Sequence, residues 1–377
     1  MNVTIVKNRC GVCLGALRPL IDRLQDSRFG VSGEYSAGEC RNCGAISTMP
    51  RPSERELSRL YSRFYNFGGS GKGKYERIRE AIHKSVVYKI WLLIDGDIAF
   101  QSIHCLTRPS PAQRATSPGA RERLIELGCN EGRNLEIYRR NGWKAEGQEI
   151  NPVAVKTARA RGFKVYAGAL EKVKGQFDVV VLANVLEHSI EPRQMLSQVH
   201  RLLKKGGEVW ISLPNNRSWL RSVFGRKWIN WHVPFHVSHL GSRSLGELLS
   251  CQPAFPSGRR GHRSGDGQPF DSSYNLVAQG VSVGKGGDKY LSGTDNRKLK
   301  TDNFKVVSIK TITPALWVAQ SVIAAIFARA GKPTRQLRNP ILVAGLMLVS
   351  RFIFFPFLIA GDLLGKGDAL VVRAVKN

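Results

Sequence analysis

From residue 123 to residue 213 the chain repeats one pattern: an apolar run of strand length, then an amphipathic stretch of helix length. This alternation restricts the fold more than any other feature. The runs Arg123 to Gly128, Lys144 to Ile150, Lys164 to Gly168, Phe177 to Val185 and Gly207 to Leu213 read as strands. Proline follows Asn151 and Glu191, and proline suits the first helical position, so the pattern predicts two helix starts there. Met195, Val199, Leu202 and Leu203 give the second of these helices an apolar face. Strands alternating with helices need right-handed crossovers, and the predicted class is α/β, a doubly wound, mainly parallel sheet covered on both faces. Two later runs, Lys305 to Ile312 and Ala369 to Lys376, complete a seven-stranded sheet.

The first strand runs into a glycine turn and a helix, LIELGCNEGRNLEIYRR, residues 124–140. A dinucleotide fingerprint requires G-x-G-x-x-G, and here Asn130 and Arg133 stand where its second and third glycines belong. Only Gly132 relieves the turn. Glu126 puts an acid near the carboxyl end of the first strand, where a cofactor's amino group can bind. Glu149 follows Gly128 by 21 residues and ends the second strand, where a carboxylate can accept both hydroxyls of a ribose.

The order Glu126, Gly128, Gly132 followed by a ribose acid resembles the class I S-adenosylmethionine (SAM) dependent methyltransferases. The resemblance extends to Gly168-Ala169-Leu170, to FDVVVLANVLEH at residues 177–188, to LLKKGGEVWISLPN at residues 202–215 and to the two final strands. It implies a Rossmann-like fold with SAM as cofactor. The implied cofactor contacts are Glu126, Gly128, Asn130, Gly132, Glu149, Ala169, Leu170, Asn184 and Leu186, with Ala169 and Leu170 lining the adenine. Asn130 departs from the glycine many members carry, but asparagine tolerates a left-handed backbone better than most residues.

Cys10, Cys13, Cys40 and Cys43 form two CxxC knuckles separated by 26 residues, a set that can close a tetrahedral thiolate site around structural Zn²⁺ and leave no open position. Followed by PRPSERELSRLY, this front end resembles the zinc-bearing branch found among sugar and polysaccharide methyltransferases. The expected organisation is a zinc knuckle module at 1–50, a helical connector at 51–94 with Ser53 and Glu56 as a capping box, a loop or insertion at 95–120, the cofactor-binding core at 121–250, and a disordered insertion at 251–303. The core ends at 304–377, interrupted by an apolar helical insertion at 314–364. Tyr75 to Ile94 has helical periodicity. Cys129, inside the turn, reads as a packing residue.

On the acceptor side, WINWHVPFHVSHL at residues 228–240 alternates aromatics with His232, His236 and His239 in a loop over the strand ends. A histidine there can deprotonate an acceptor. The resemblance implies a histidine in this proline-containing stretch, which makes His236 the first choice of catalytic residue and His239 the second. A metal on these three histidines lacks an acidic partner nearby in sequence, and His188 reads as a residue that orients its own loop.

Lys and Arg number 57 against 29 Asp and Glu, a net charge of +28 that draws the chain towards anionic partners. The basic residues are not interleaved with aromatics in one motif, which argues against a nucleic-acid-binding protein. The odd cysteine count points to a reducing cytoplasm. The helices predicted at Ala315 to Ala328 and Ile341 to Ala360 sit between two strands of one sheet, so they cross a membrane as a pair or not at all. Gln320, Ser321 and Arg351 favour a hairpin packed on the domain or lying in a membrane interface, with Arg329, Lys332, Arg335 and Arg338 as a basic collar. The expectation is a cytoplasmic methyltransferase acting on a small or lipid-linked acceptor such as a surface-polysaccharide sugar, with peripheral membrane contact through the hairpin as the alternative to a helix pair packed on the domain. An inactive relative is the other alternative.

Overall fold

A computed structural model describes residues 9–65, 123–250, 303–328, 334 and 340–377. The Tyr75 to Ile94 helix, the 95–120 loop, the body of the 251–303 insertion, Cys105, Cys251 and the four collar cations lie outside these residues.

The core strands are β4 (Arg123–Leu127), β5 (Lys144–Glu149), β6 (Lys164–Ala167), β7 (Phe177–Ala183), β8 (Leu203–Pro214), β10 (Phe304–Ile312) and β11 (Ala369–Lys376). They form one seven-stranded sheet in the order β10-β11-β8-β7-β4-β5-β6. β4 to β8 pair in parallel, while β11 runs antiparallel to both β8 and β10. β8 starts earlier than the glycine pair suggested, because Leu203 pairs with Phe177 before a register shift.

Strand parity decides which side chains meet which helices. Ile125, Leu127, Val180, Leu182, Val209 and Ile211 lie in one buried cluster with Leu196 and Val199 of α4 (Pro192–Leu202) and Leu245 of α6 (Ser242–Ser250), the helix that follows α5 (Trp219–Phe224) in the chain. Leu124, Val179, Val181 and Trp210 lie in the other, with Leu135 and Tyr138 of α2 (Arg133–Arg140) and Val155 and Ala158 of α3 (Pro152–Ala160). Both faces are therefore covered by helices. Pro152 and Pro192 each occupy the first turn of a helix, and the Asn151 side chain accepts from Val153 and Ala154.

The cysteine module is continuous with this core. β1 (Leu17–Leu24), β2 (Tyr35–Cys40) and β3 (Ile46–Met49) form an antiparallel sheet whose fourth strand, β9 (Ser238–His239), comes from the loop after β8. Cys10, Cys40 and Cys43 pack in the same cluster as Leu196 and Leu240. The boundary drawn at residue 50 is thus bridged by a shared sheet and a shared core. The expected capping box opens α1 (Glu54–Phe64): Ser53 Oγ accepts from Glu56 N, and the Glu56 carboxylate accepts from Ser53 N at 2.7 Å.

Between β10 and β11 the chain forms the expected hairpin of α7 (Ala315–Phe327) and α8 (Pro340–Leu363). Among the described residues no helix is long and apolar enough to cross a membrane. The hairpin nevertheless exposes apolar side chains, including Ile326, Phe352, Ile353, Phe357, Leu363 and Leu364. At about 100° per residue, Phe352, Ile353, Phe357 and Leu363 of α8 fall within roughly 140° of one another, so they form one stripe along the helix.

Candidate active site

A cavity of ≈ 780 Å³ opens at the carboxyl ends of β4, β5, β7 and β8, where Gly128, Glu149, Asn184 and Pro214 contribute to its wall. β4 and β7 are neighbours whose chains leave in opposite directions across the sheet, and the crevice at such a reversal is where open α/β sheets bind ligands.

Three left-handed residues shape the first turn, with φ of 68° at Gly128, 48° at Asn130 and 74° at Gly132. Asparagine thus takes the conformation that a glycine otherwise supplies. A Cβ on Gly128 would stand 2.8 Å from Val185, so the loop after β7 leaves no room for a side chain there. The Asn130 N–H donates to Glu149 Oε2 at 2.9 Å, while Glu149 Oε1 accepts from the N–H groups of Ile150 and Asn151 at 2.8 Å each. Three backbone donors hold this carboxylate in place, and each oxygen keeps lone-pair capacity for a ligand. Asn130 also lines the cavity, and its buried Oδ1 has no partner. Ala169 and Leu170 line the far wall, after Gly168 at φ 96°.

Three of the nine expected cofactor contacts do not form the wall. Glu126 shares the strand face of Leu124, beneath α2, where Asn134 Nδ2 donates to its Oε1 at 2.6 Å. Burial pushes its carboxyl up to about 7 against the effect of that hydrogen bond. Gly132 belongs to the back of the turn, its Cα facing Phe163 and Ala158. Leu186 is fully buried in the main core cluster, because the short turn Leu186–His188 sends it under the sheet.

The same turn presents Glu187 and His188 to the cavity, next to His236. His188 therefore also forms part of the cavity wall. Its Nδ1 lies 3.0 Å from the Phe235 carbonyl, and His236 Nδ1 lies 2.8 Å from the Asn230 carbonyl. A carbonyl only accepts, so both Nδ1 atoms carry the proton and both Nε2 atoms keep a lone pair. The two rings stand edge to face at 4.7 Å. Glu187 is 1% exposed, and neither carboxylate oxygen has a hydrogen-bond partner. Burial pushes Glu187 up to about 8, moves His188 down to about 4 and holds His236 well below the ordinary histidine range.

The other two histidines of the loop serve the scaffold. His239 lies in β9, does not line the cavity, and its Nε2 is 3.1 Å from Thr48 Oγ1. That corrects its expected catalytic place. His232, in the left-handed region at φ 35°, has Nε2 2.6 Å from the Tyr65 hydroxyl.

The loop bearing His236 is fastened from three sides. Thr48 N–H donates to the Val237 carbonyl at 3.0 Å, and Val237 N–H donates to the Glu187 carbonyl at 2.9 Å. From the C-terminal side, buried Asp368 accepts from Ser218 Oγ at 2.6 Å, Trp228 Nε1 at 2.7 Å and Asn230 Nδ2 at 2.9 Å.

Sequence reasoning missed several wall residues. Gln148 Nε2 donates to the Gly168 carbonyl at 2.6 Å while its Oε1 accepts from Gly128 N–H at 3.3 Å, so one side chain ties together the loops after β4 and β6. A polar residue inside a buried strand was its signal. Tyr61 and Tyr65 of the α1 region and Trp317 of α7 add aromatic surface, for which the four-residue tyrosine spacing was the hint. At the front end, Cys10 Sγ lies 3.5 Å from Cys43 Sγ and Cys13 Sγ lies 3.4 Å from Cys40 Sγ, with all four sulfurs within 4.8 Å of one another. Tetrahedral Zn–S bonds of about 2.3 Å separate sulfurs by roughly 3.8 Å, so the set fits a zinc ion.

Residues 103–250 match a family model described as a methyltransferase domain. The ubiquinone biosynthesis O-methyltransferase of Erwinia tasmaniensis is 27% identical over 176 residues, 43% of this chain and 72% of that protein. The enzyme of the same name from Pseudomonas aeruginosa PAO1 is 27% identical over 127 residues, 30% of this chain and 55% of the relative, so the chain spans about half its length. Solved structures similar to the chain include SAM-dependent methyltransferases of Thermotoga maritima (18% identity, 51% of this chain and 78% of that one, TM-score 0.33) and Mesorhizobium loti (16% identity, 70% and 96%, TM-score 0.34). The matched domain, in a sheet of the methyltransferase type, makes this protein an enzyme of the SAM-dependent methyltransferase class. Its cofactor is SAM.

Proposed function

We propose that the protein transfers the methyl group of SAM to a hydroxyl of a small acceptor. The observation that supports this most is the sharing of one cavity by a strand-end carboxylate, Glu149, and the imidazoles of His188 and His236. SAM supplies an electrophilic methyl on a sulfonium. The chain's part is to align the acceptor with that methyl, exclude water and remove the hydroxyl proton.

In this reading Glu149 accepts the ribose hydroxyls, Ala169 and Leu170 flank the adenine, and Gly128, Asn130 and Asn184 contact the rest of the donor. Glu126, Gly132 and Leu186 act from behind, by fixing the turn and the loop after β7. The buried Nε2 lone pairs of His236 and His188 face the acceptor region, and acceptor activation is centred on His236. The relatives' name suggests a phenolic hydroxyl, while the cysteine-bearing front end suggests a sugar of a surface polysaccharide. Zinc on Cys10, Cys13, Cys40 and Cys43 holds the front sheet together.

Calorimetric titration with SAM, followed by a screen of phenolic and sugar acceptors against labelled donor, tests the assignment. Donor binding with label transferred to one acceptor class supports it. A folded protein that binds no SAM sinks it.

A specific observation favours a second feature, peripheral membrane contact. The exposed stripe on α8 belongs to the same hairpin whose Trp317 and Gln320 line the cavity, so a lipid-linked acceptor entering along that face would meet the site directly. Cosedimentation with phosphatidylglycerol vesicles, lost in a Phe352→Asp/Phe357→Asp variant, would support this. Equal recovery of the two proteins would refute it.

A further inference from the structure

We propose that Glu187, His188 and His236 bind a divalent metal cation inside the cavity, with open positions facing the acceptor. This deepens the methyltransferase reading and rests on it for the cation's role, though not for its binding.

Three observations carry the inference. One ligand atom from each residue lies within 4.8 Å of the others. A cation with bonds of about 2.1 Å spans donors up to roughly 4.2 Å apart, so small side-chain adjustments close the set. Next, each histidine commits Nδ1–H to a backbone carbonyl, Phe235 for His188 and Asn230 for His236. That is the outer contact by which metal-binding imidazoles are oriented, and it leaves both Nε2 atoms free to ligate. Finally, the Glu187 carboxylate is buried with neither oxygen partnered. A carboxylate in that state is costly, and a cation relieves the cost while supplying the charge that two neutral imidazoles lack.

Two imidazoles and one carboxylate suit a first-row divalent ion such as Zn²⁺ or Mn²⁺, and a three-ligand protein set leaves room for exogenous oxygen. A hydroxyl bound there becomes more acidic and releases its proton to solvent water. Its oxygen then forms the new bond to the methyl carbon as the carbon–sulfur bond breaks and the electron pair returns to sulfur. His236 is in this case a ligand, and the proton need not pass to it. The Cys10, Cys13, Cys40 and Cys43 set is separate and offers only thiolates, to which Mn²⁺ has low affinity.

The test is titration of the full chain with Mn²⁺, following the free-ion electron paramagnetic resonance signal, beside zinc analysis of the purified protein. The wild type should take up one Mn²⁺ per chain. Glu187→Gln and His188→Gln, each checked for folding by circular dichroism and for SAM binding by calorimetry, should weaken uptake at least tenfold. Absence of Mn²⁺ uptake at millimolar concentration, or equal uptake by the folded variants, overturns the metal site. If SAM still binds in that case, the enzyme reading stands with His236 as a direct base. Mn²⁺ uptake without SAM binding would instead leave the metal site and remove the methyltransferase reading.

Discussion

Asn130 donates its backbone N–H to Glu149 at 2.9 Å, so the turn after the first core strand and the acid ending the second form one unit. Removing the carboxylate releases three N–H groups and the proposed ribose contact together. Glu149→Ala should weaken SAM binding at least tenfold, about 1.4 kcal/mol or more, with no response to NAD in either protein. Calorimetry reads both, and unchanged affinity would place the donor elsewhere.

Asp368 should matter for turnover rather than donor affinity, since it holds Trp228 and Asn230, and Asn230 in turn orients His236. Asp368→Ala strands three buried donors and should cost about 2–4 kcal/mol in urea unfolding. In the fraction that remains folded, kcat should fall while the SAM dissociation constant stays within about twofold.

Glu126 gives the apoprotein a pH dependence of known sign. Its carboxyl, ordinarily at 4.5, is raised to about 7 by burial, so the folded state holds the proton more tightly than the unfolded one. The stability it contributes is present below the unfolded value and is lost as pH rises through about 7. Glu126→Gln should flatten the urea stability profile between pH 5 and pH 7, by a total on the order of 3 kcal/mol. Parallel profiles for the two proteins would contradict this.

Because β3 pairs with β9, loss of the proposed zinc should reach the active-site loop. Cys40→Ser should lower bound zinc by one ion per chain and lower the melting temperature by roughly 6–12 °C, for a loss of about 3 kcal/mol. Activity should fall further than SAM binding does. A variant whose zinc content equals that of the wild type would show that the thiolates are not ligands.

Gly147 lies under the turn, where a Cβ would collide with Cys129 Sγ and stand 3.0 Å from Leu135. Gly147→Ala should cost about 1–3 kcal/mol through overpacking. Adding Cys129→Ala should recover part of it. Additive losses in the double-mutant cycle would mean that the two positions do not press on each other.

Several parts of the site were legible because their signals are local. Gly128, Asn130 and Gly132 announce a left-handed turn by residue type, and Glu149 announces a strand-end acid by its distance from that turn. The four cysteines declare themselves by spacing. Leu186 and Glu187 were harder, because in a three-residue turn neither strand nor helix periodicity tells which side chain faces inward. His188, His236 and His239 look alike in sequence. Their different surroundings depend on the carbonyls of Phe235 and Asn230 and on Thr48, which lies 191 residues from His239 in the chain.

The sequence alone determined the parallel core, its turn, its strand-end acid and the four-cysteine set, since each depends on side-chain period, backbone preference or short spacing. Tertiary structure decided that the cysteine sheet and Asp368 together hold the histidine loop over the cavity, and that the acid absent beside those histidines in sequence is Glu187, from the end of β7. Contacts between such distant segments are fixed by packing and hydrogen bonding across the sheet, which leave no local pattern in the chain.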